Sequence, residues 1–191
     1  MCPFKCGLKT FASIKARGDF LNDLVSVIRN IPDFPEPGII FRDITTVLQN
    51  PDMLALAVDS MADKLSGVDF DLAVGPESRG FIFAVPIAYK LRKGFVPVRK
   101  KGKLPYQTIQ KSYDLEYGSA VIEMHKDAIA PGQRVVVIDD LLATGGTCQA
   151  LAGLVEEVGG VIASMVFLIE LEALKGRELL KDYHVQSIIQ Y

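Results

Sequence analysis

The sequence is poor in cysteine, and the few cysteines present do not form the pattern of a disulfide framework. Only three occur among 191 residues, an odd count with two crowded near the start. Cys2 and Cys6 resemble half of a metal site, but no second Cys/His pair follows to complete it. We therefore interpret them as incidental thiols and expect a reducing, cytoplasmic location.

Long apolar runs are also missing. The longest strongly apolar stretch covers residues 80–89, far short of the roughly 20 residues that span a bilayer. The first residues contain no continuous apolar stretch of the kind found in a signal peptide. We expect neither a membrane anchor nor membrane partners.

The sequence has no excess of positive charge. Lysine and arginine number 21 against 23 acidic residues, and the net charge is −2. No global basic field exists to hold nucleic acid, so any anion site must be local. The length and the 49% hydrophobic content predict one globular domain over residues 1–191, with residues 1–16 as a loose extension.

The first half of the chain contains two predicted helices around a proline-rich segment. Apolar residues recur at helical spacing over about 17–30. Residues 31–38 include three prolines and a glycine, which predicts an extended loop without regular structure. A second helix is predicted at about 52–66, with Asn50 as its N-cap and Pro51 at its first position.

The second half alternates short apolar runs with helical stretches, which predicts a parallel sheet flanked by helices, an α/β fold. The predicted strands lie at 70–74, 95–98, 134–138 and 161–169, and the helices at about 80–93 and 147–158. Residues 113–117 and 120–125 flank Gly118 and Ser119, which predicts an inserted β-hairpin.

The strongest functional signal lies at the end of the strand at 134–138. The apolar strand continues into Asp139 and Asp140, and a loop of small residues, 143–147, then opens a helix. Unpaired N–H groups, threonine hydroxyls and a helix N-terminus are suited to binding a phosphate. No Gly-Lys-Ser/Thr follows, so this is not a P-loop.

The two aspartates restrict the ligand. They would repel a phosphate unless something intervened between the charges. They fit a ligand that carries sugar hydroxyls and a divalent cation beside its phosphate, because carboxylates accept hydrogen bonds from a diol and Mg²⁺ offsets the negative charge. A helix N-cap with a tight turn would explain one aspartate and one glycine, but not the whole run.

Two further loops follow predicted strands. Residues 75–80 read either as a polar turn that caps a helix or as a ligand loop. Residues 99–105 contain four basic residues, which read either as a solvated face or as local anion binding by a lid that closes over the site.

The run from Val135 to Thr147 resembles the phosphoribosyl pyrophosphate (PRPP) motif of the type I phosphoribosyltransferases. The resemblance implies that family's fold, a central mostly parallel sheet flanked by helices, with a small N-terminal hood (about 31–45) and an inserted β-hairpin with a flexible loop. It assigns Asp139 and Asp140 to the ribose hydroxyls. It assigns the 5′-phosphate to Ala143, Thr144, Gly145, Gly146 and Thr147.

The same resemblance implies a pyrophosphate subsite formed by residues of the other two loops: Glu77, Ser78, Arg79, Arg99 and Lys103. It also implies a cis peptide bond between Glu77 and Ser78, and a loop over 100–113 that is mobile when the site is empty. Some family members carry Asp where Glu77 stands.

Several segments resemble the adenine-using branch of this family, namely residues 34–44, 78–81, 99–105, 115–118 and 174–177. The resemblance implies that Ile40, Arg42 and Leu141 line the adenine pocket, where backbone groups read the Watson–Crick edge. Glu116 would transfer a proton at N7 of the base, and Tyr117 would belong to the same loop.

The implied reaction converts adenine and PRPP to AMP and pyrophosphate, with Mg²⁺ held mainly through PRPP and by no direct protein ligand. A homodimer is also implied. One alternative is a hypoxanthine/guanine or xanthine phosphoribosyltransferase. Another is a non-catalytic PRPP-sensing regulator, although the roughly 30 residues before the hood are too few for a DNA-binding winged helix.

Overall fold

The structure, a computed structural model, describes residues 17–114 and 119–191. Its helices are α1 (Arg17–Val27), α2 (Thr45–Gln49), α3 (Pro51–Lys64), α4 (Arg79–Leu91), α5 (Gly146–Glu157) and α6 (Gly176–Leu179). Its strands are β1 (Arg29–Pro32), β2 (Ile40–Asp43), β3 (Leu72–Pro76), β4 (Gly94–Lys100), β5 (Thr108–Asp114), β6 (Ser119–His125), β7 (Arg134–Leu142), β8 (Val161–Glu170) and β9 (Val185–Gln190). A short 3₁₀ turn, Glu172–Leu174, precedes α6.

Seven strands form one twisted sheet in the order β5-β6-β4-β3-β7-β8-β9. The strands from β4 to β9 in that order pair in parallel, and the β5–β6 hairpin joins the edge of β4 antiparallel. Strands β1 and β2 form a separate antiparallel pair. The predicted α/β class, with a mostly parallel sheet, is confirmed.

Helices cover both faces of the sheet, and β7 shows why its sequence reads as an uninterrupted apolar run. Val137 packs in a cluster with Leu151 of α5, while its neighbour Ile138 packs in the other cluster with Phe83 of α4. Successive strand side chains point to opposite faces. A strand that is buried on both faces is therefore apolar at every position.

The N-terminus of α3 matches the sequence prediction. The Asn50 side chain accepts hydrogen bonds from the backbone N–H groups of Asp52 and Met53, at 3.0 and 3.2 Å. Pro51 occupies the first helical position, where its missing N–H has no intrahelical partner to lose.

The predicted boundaries around the proline-rich segment need correction. Helix α1 ends at Val27 instead of continuing to residue 30, and Ile31 and Pro32 belong to β1 instead of a loop. Proline is tolerated there because β1 ends at Pro32 and pairs with a single neighbour, β2, so the missing N–H breaks no central ladder.

The predicted hairpin is present, with different strand bounds. Ser119, which was predicted to lie in the turn, belongs to β6 and pairs with Asp114 at the end of β5, and residues 115–118 lie outside the described residues. Strand β5 begins at Thr108, so the expected lid over 100–113 contains a regular strand and only residues 101–107 form its loop. The mobility of that loop stays a prediction.

The chain topology creates a crevice at the carboxyl ends of β3 and β7, which are neighbours in the sheet. Helix α4 follows β3 and packs on one face, whereas α5 follows β7 and packs on the other. In sheets of this kind ligands bind where two connections diverge in this way. No helix in the described part of the chain is long and apolar enough to cross a membrane.

Candidate active site

A cavity of about 380 Å³ opens in this crevice, which is within the size range of small-molecule sites. Loop residues after β3, the acid pair and the small-residue loop after β7 form most of its wall. The lining residues are Pro76, Glu77, Ser78, Arg79, Lys100, Tyr113, Asp139, Asp140, Leu141, Leu142, Ala143, Thr144, Gly145, Gly146, Thr147 and Cys148.

The two aspartates at the end of β7 have different partners. Asp140 is buried, and its Oδ2 lies 3.1 Å from Nε of Arg79, an ion pair without hydrogen-bond geometry. Asp139 accepts a hydrogen bond from the backbone N–H of Asp140 at 2.8 Å. Asp140 therefore has a cation within 4 Å, whereas Asp139 accepts from a backbone N–H and feels the Arg79 charge from further away.

Burial raises the pKa of both carboxyl groups. For Asp139 the charge of Asp140 raises the pKa further, well above the usual aspartate value of 3.8. For Asp140 burial also dominates, although the Arg79 guanidinium opposes it. Two crowded carboxylates that resist full ionisation are suited to a ligand that brings hydroxyl donors or a cation.

Gly80 explains how the start of α4 approaches the acid pair so closely. A Cβ atom at this position would lie 2.6 Å from Cδ of Pro76 and 3.0 Å from Oδ1 of Asp139. The absence of a side chain lets the first turn of α4 pack directly against the end of β7. This close approach places Arg79 next to Asp140.

The small-residue loop leads into the uncapped N-terminus of α5. Gly145 adopts a left-handed φ of +89° and precedes the first helical residue. The N-cap residue Gly145 has no side chain to cap α5, so within the described part of the chain the first-turn N–H groups are available for a ligand. Such a helix N-terminus, with Thr144 and Thr147 beside it in the cavity wall, is suited to a phosphate group.

The predicted basic residues do not all face the cavity. Arg99 donates two hydrogen bonds to Glu77, both at 3.1 Å, and one to the backbone carbonyl of Lys103. These bonds from Arg99 lower the pKa of Glu77. Lys100, one residue further along β4, lines the cavity instead, because alternate strand residues point to opposite sides.

The small β1–β2 sheet lies beside the cavity through an aromatic contact. The guanidinium of Arg79 lies 5.7 Å from the ring centre of Phe41, which packs edge-on against Phe34 at 5.2 Å. Ile40 is about half exposed. Arg42 stacks at 3.8 Å over the ring of Tyr191 and donates to Asn30, and its buried Nε has no partner among the described residues.

The structure thus brings most of the predicted ribose, phosphate and pyrophosphate residues together, but not all of the predicted site. The predicted residues Arg99, Lys103, Ile40 and Arg42 do not line the cavity, and their roles stay predictions. Glu116 and Tyr117 lie outside the described residues. Sequence reasoning missed five lining residues: Pro76, Lys100, Tyr113, Leu142 and Cys148.

Lys100 was within reach of sequence reasoning, because it lies in the basic run that was identified and strand alternation separates it from Arg99. Cys148 carried no such signal. It is buried, and burial raises its pKa well above 9.0, with the Asp139 and Asp140 charges adding to the effect. A thiol held protonated in this way is a packing residue and a poor nucleophile.

The donor set of the cavity is compatible with Mg²⁺ bound mainly to a ligand. Asp139, Asp140 and Glu77 are the carboxylates in its wall, with Glu77 already bonded to Arg99, and oxygen atoms are the ligands Mg²⁺ prefers. No group of three or more His, Cys, Asp or Glu residues in the described ranges could hold a metal ion alone. A phosphate-bearing ligand would therefore have to supply further oxygens.

Comparison with known proteins gives the class to which this fold and site belong. Residues 43–191 match the family model described as the phosphoribosyl transferase domain. The match includes β3, the acid pair and the small-residue loop, and the chain belongs to this family.

The chain's similarity to curated and solved relatives is more specific. It is 60% identical over 171 residues to the adenine phosphoribosyltransferase of Lachnoclostridium phytofermentans, covering 90% of this chain and 98% of the relative. The crystal structure of adenine phosphoribosyltransferase from Thermoanaerobacter pseudethanolicus superposes with a TM-score of 0.88 at 51% identity, covering 90% of this chain and 99% of that one. Within the phosphoribosyltransferases, the chain belongs to the adenine phosphoribosyltransferase family.

A third relative carries ligands in its crystal structure. It is the Saccharomyces cerevisiae adenine phosphoribosyltransferase, solved with an imino-altritol bisphosphate and adenine. It matches with a TM-score of 0.84 and 36% identity over 90% of this chain and 99% of that one.

Proposed function

We propose that this protein transfers the 5-phosphoribosyl group of PRPP to N9 of adenine, releasing pyrophosphate and forming AMP. The observation that carries the proposal is the cavity itself. In it a paired carboxylate site, an uncapped helix N-terminus and an arginine converge at the ends of two adjacent parallel strands. Family membership supports the reaction type and the base.

The 5′-phosphate binds at the start of α5. Residues 143–147 supply backbone N–H groups and two threonine hydroxyls, and the helix N-terminus favours the negative charge. The ribose hydroxyls lie over Asp139 and Asp140, which accept their hydrogen bonds as carboxylates. Their raised pKa values then fall when the ligand binds, because the hydroxyls bond to the charged form.

The pyrophosphate lies toward the loop after β3. Arg79 faces this side of the cavity and Lys100 projects into it from β4. Arg99 is assigned an indirect role, because its hydrogen bonds to Glu77 fix the loop that carries Ser78 and Arg79. Mg²⁺ bound through PRPP oxygens would offset part of the pyrophosphate charge.

In the reaction the bond from C1′ to the pyrophosphate oxygen breaks and the bond from C1′ to N9 forms. Arg79 and Lys100 stabilise the negative charge that builds on the leaving pyrophosphate. Adenine loses one proton overall. Glu116 is assigned acceptance of that proton at N7, which leaves the N9 lone pair free to form the bond to C1′, and such proton transfer contributes typically about 10²–10⁴-fold. Tyr117, the next residue in the sequence, is assigned with Glu116 to the site. Closure of residues 101–107 would exclude water that could attack C1′.

The adenine pocket is assigned to the space between Leu141, which lines the cavity, and the β1–β2 sheet. Arg42 is fixed by Tyr191 and Asn30, which holds the backbone at the end of β2 in place. A fixed backbone donor and acceptor there would favour the amino group and N1 of adenine. Hypoxanthine reverses both groups, and each mismatch costs about 1–3 kcal/mol.

The protein is also proposed to act as a homodimer in the cytoplasm. Helix α4 exposes Ile82, Val85 and Tyr89, at 37%, 47% and 75%. Their spacing of three and four residues places them on one face, which a second copy would cover. Light scattering after size-exclusion chromatography should give twice the mass of one 20.9 kDa chain; a single-chain mass would overturn the dimer.

Incubation with PRPP, Mg²⁺ and each purine base in turn tests the reaction. AMP and pyrophosphate should form with adenine, at a rate at least 100-fold above that with hypoxanthine, guanine or xanthine. Equal or faster turnover of hypoxanthine or guanine would show that adenine is not the preferred substrate base. PRPP binding without any product would indicate a PRPP-sensing regulator.

A further inference from the structure

A second stretch of backbone packs against the small-residue loop, residues 143–147, which is called the phosphate loop from here on. It includes Gly176, about thirty residues further along the chain. A Cβ atom on Gly145 would lie 2.7 Å from the carbonyl oxygen of Gly176, and one on Gly176 would lie 2.2 Å from the carbonyl oxygen of Ala143. The two backbones are therefore in contact, with no space for a side chain between them.

The start of this second stretch is joined to the phosphate loop by the sheet. The N–H of Leu171 donates to the carbonyl of Leu142 at 2.9 Å, which continues the β7–β8 ladder to the last residue before the loop. Glu170 is the register partner of Leu142. Its carboxylate is thus placed one strand away from the point where the phosphate loop begins.

An ion pair fixes the end of the stretch. Arg177 donates to both oxygens of Glu170, with Nε–Oε1 at 2.6 Å and Nη2–Oε2 at 2.7 Å. It also donates to the carbonyl of Val185 at 2.8 Å and to Oγ of Ser187 at 3.2 Å. Oγ of Ser187 in turn donates to Glu170 at 2.7 Å. The guanidinium therefore bridges β8 and β9 at four acceptor atoms.

Burial and charge show that Glu170 depends on this arrangement. Its side chain is only 5% exposed. Burial alone would raise the pKa of Glu170, but the hydrogen bonds from Arg177 and Ser187 outweigh burial and lower it. A carboxylate held charged inside the protein needs these donors. The turn between the two residues consequently has both of its ends fixed.

We propose that the backbone of Gly176 supports the phosphate loop by direct contact. We further propose that Arg177, through its bidentate pair with Glu170, is a positioning residue for the 5′-phosphate. The proposal rests on the proposed function, because it concerns the phosphate subsite of that same cavity. Backbone N–H groups bind a phosphate tightly only if their positions are held to within about 0.5 Å and their directions to within about 10–20°. The contact with Gly176 fixes Ala143 and Gly145 from the side away from the ligand.

The prediction is a selective loss of phosphate affinity. Gly176→Ala should raise the KM for PRPP and the Kd for ribose 5-phosphate at least 10-fold, while the KM for adenine changes less than 2-fold. Arg177→Gln should raise both phosphate constants about 3- to 10-fold. Arg177→Lys should behave like Arg177→Gln, since lysine keeps the charge but cannot form the bidentate fork.

Gly153→Ala is the matched control. Gly153 lies within α5 and is not among the cavity-lining residues, and the three atoms nearest to a Cβ there belong to the flexible Lys111 side chain. This variant should keep both KM values and the Kd of the natural sequence. Circular dichroism and thermal denaturation check that each variant is folded, and if Gly176→Ala does not fold, the two Arg177 variants decide the question.

The proposal is overturned if folded Gly176→Ala, or folded Arg177→Gln when the glycine variant does not fold, binds ribose 5-phosphate within 2-fold of the natural sequence. It is equally overturned if the KM values for PRPP and adenine rise together, because that result indicates general loosening. Failure of the proposed function would differ, since the unmodified protein itself would then bind no PRPP or form no AMP.

Discussion

Asp139 is the residue whose replacement should separate ligand binding from stability most clearly. Its carboxyl group is next to Asp140 and accepts one backbone hydrogen bond, and the described residues provide no ion pair for it closer than 4 Å. In Asp139→Asn the side-chain carbonyl can keep the 2.8 Å bond from the N–H of Asp140. The substitution therefore removes the charge with little change in shape.

The two effects of this substitution should have opposite signs. Asp139 has a folded-state pKa well above the usual value of 3.8. Its ionisation therefore destabilises the empty protein increasingly as the pH rises from 3.8 toward the folded-state pKa. Each pKa unit corresponds to about 1.4 kcal/mol. Asp139→Asn should therefore raise the free energy of unfolding at pH 7 by on the order of 1 kcal/mol, and this gain should vanish as the pH falls toward 3.8.

Binding should weaken in the same variant. A hydrogen bond to a charged group contributes about 1.5–3 kcal/mol, so losing the carboxylate that accepts from the ribose should weaken PRPP binding roughly 10- to 150-fold. Asp140→Asn is the matched comparison. It should weaken binding similarly with a smaller gain in stability, because the Arg79 guanidinium opposes the rise in the pKa of Asp140.

Urea unfolding at pH 7 and pH 4 measures the stability, and calorimetric titration with PRPP and Mg²⁺ measures the binding. If Asp139→Asn is less stable than the natural sequence yet binds PRPP with unchanged affinity, Asp139 is a structural residue. The assignment of the acid pair to the ribose would then be wrong.

Four further predictions concern two loop residues, the pH and the cation. Glu123 accepts hydrogen bonds from the N–H groups of Lys103 and Leu104 at 2.8 and 2.9 Å. Glu123→Gln should therefore speed proteolysis within residues 101–107 several-fold. An unchanged cleavage rate would contradict this anchoring. Protons compete with the ligand for Asp139 and Asp140, whose pKa values are raised. PRPP affinity at fixed Mg²⁺ should therefore rise with pH above 3.8. Proton uptake on PRPP binding would refute this. Chelation of Mg²⁺ should abolish AMP formation, with full recovery when Mg²⁺ is returned, and unchanged turnover in chelator would refute the cation's role. Glu116→Leu should lower kcat about 10²–10⁴-fold while PRPP affinity, measured by titration, stays within 3-fold, and near-normal turnover would remove Glu116 from the mechanism.

The part of the site that is continuous in sequence could be predicted in detail. The buried strand, the two aspartates and the loop from Ala143 to Thr147 follow one another along the chain, so local chemistry identifies them. The N-cap at Asn50 was predictable for the same reason. In each case the signal and the structure that it specifies lie within a few residues of one another.

The rest depends on contacts between distant segments or on which way a strand faces. Lys100 rather than Arg99 reaches the cavity because β4 alternates its side chains, and the register of β4 is set by its partners. Gly176 lies within a segment whose resemblance was recognised, yet its position under Ala143 follows only from the pairing of β7 with β8. No local pattern encodes such a contact.

The proline-rich segment shows a further limit of local reasoning. Three prolines within residues 31–38 argue against regular structure, but Pro32 lies at the end of β1. An isolated pair of strands tolerates a missing donor that a central strand would not. Local propensity was correct for residues 33–38 and was overridden where β2 supplied a partner.

A crystal structure of the protein with PRPP and Mg²⁺ tests the central claim most directly. The 5′-phosphate should lie at the N-terminus of α5 against residues 143–147, with the ribose hydroxyls on Asp139 and Asp140 and the pyrophosphate beside Arg79. Density for PRPP at any other place on the protein, with this cavity filled only by water, would contradict the account.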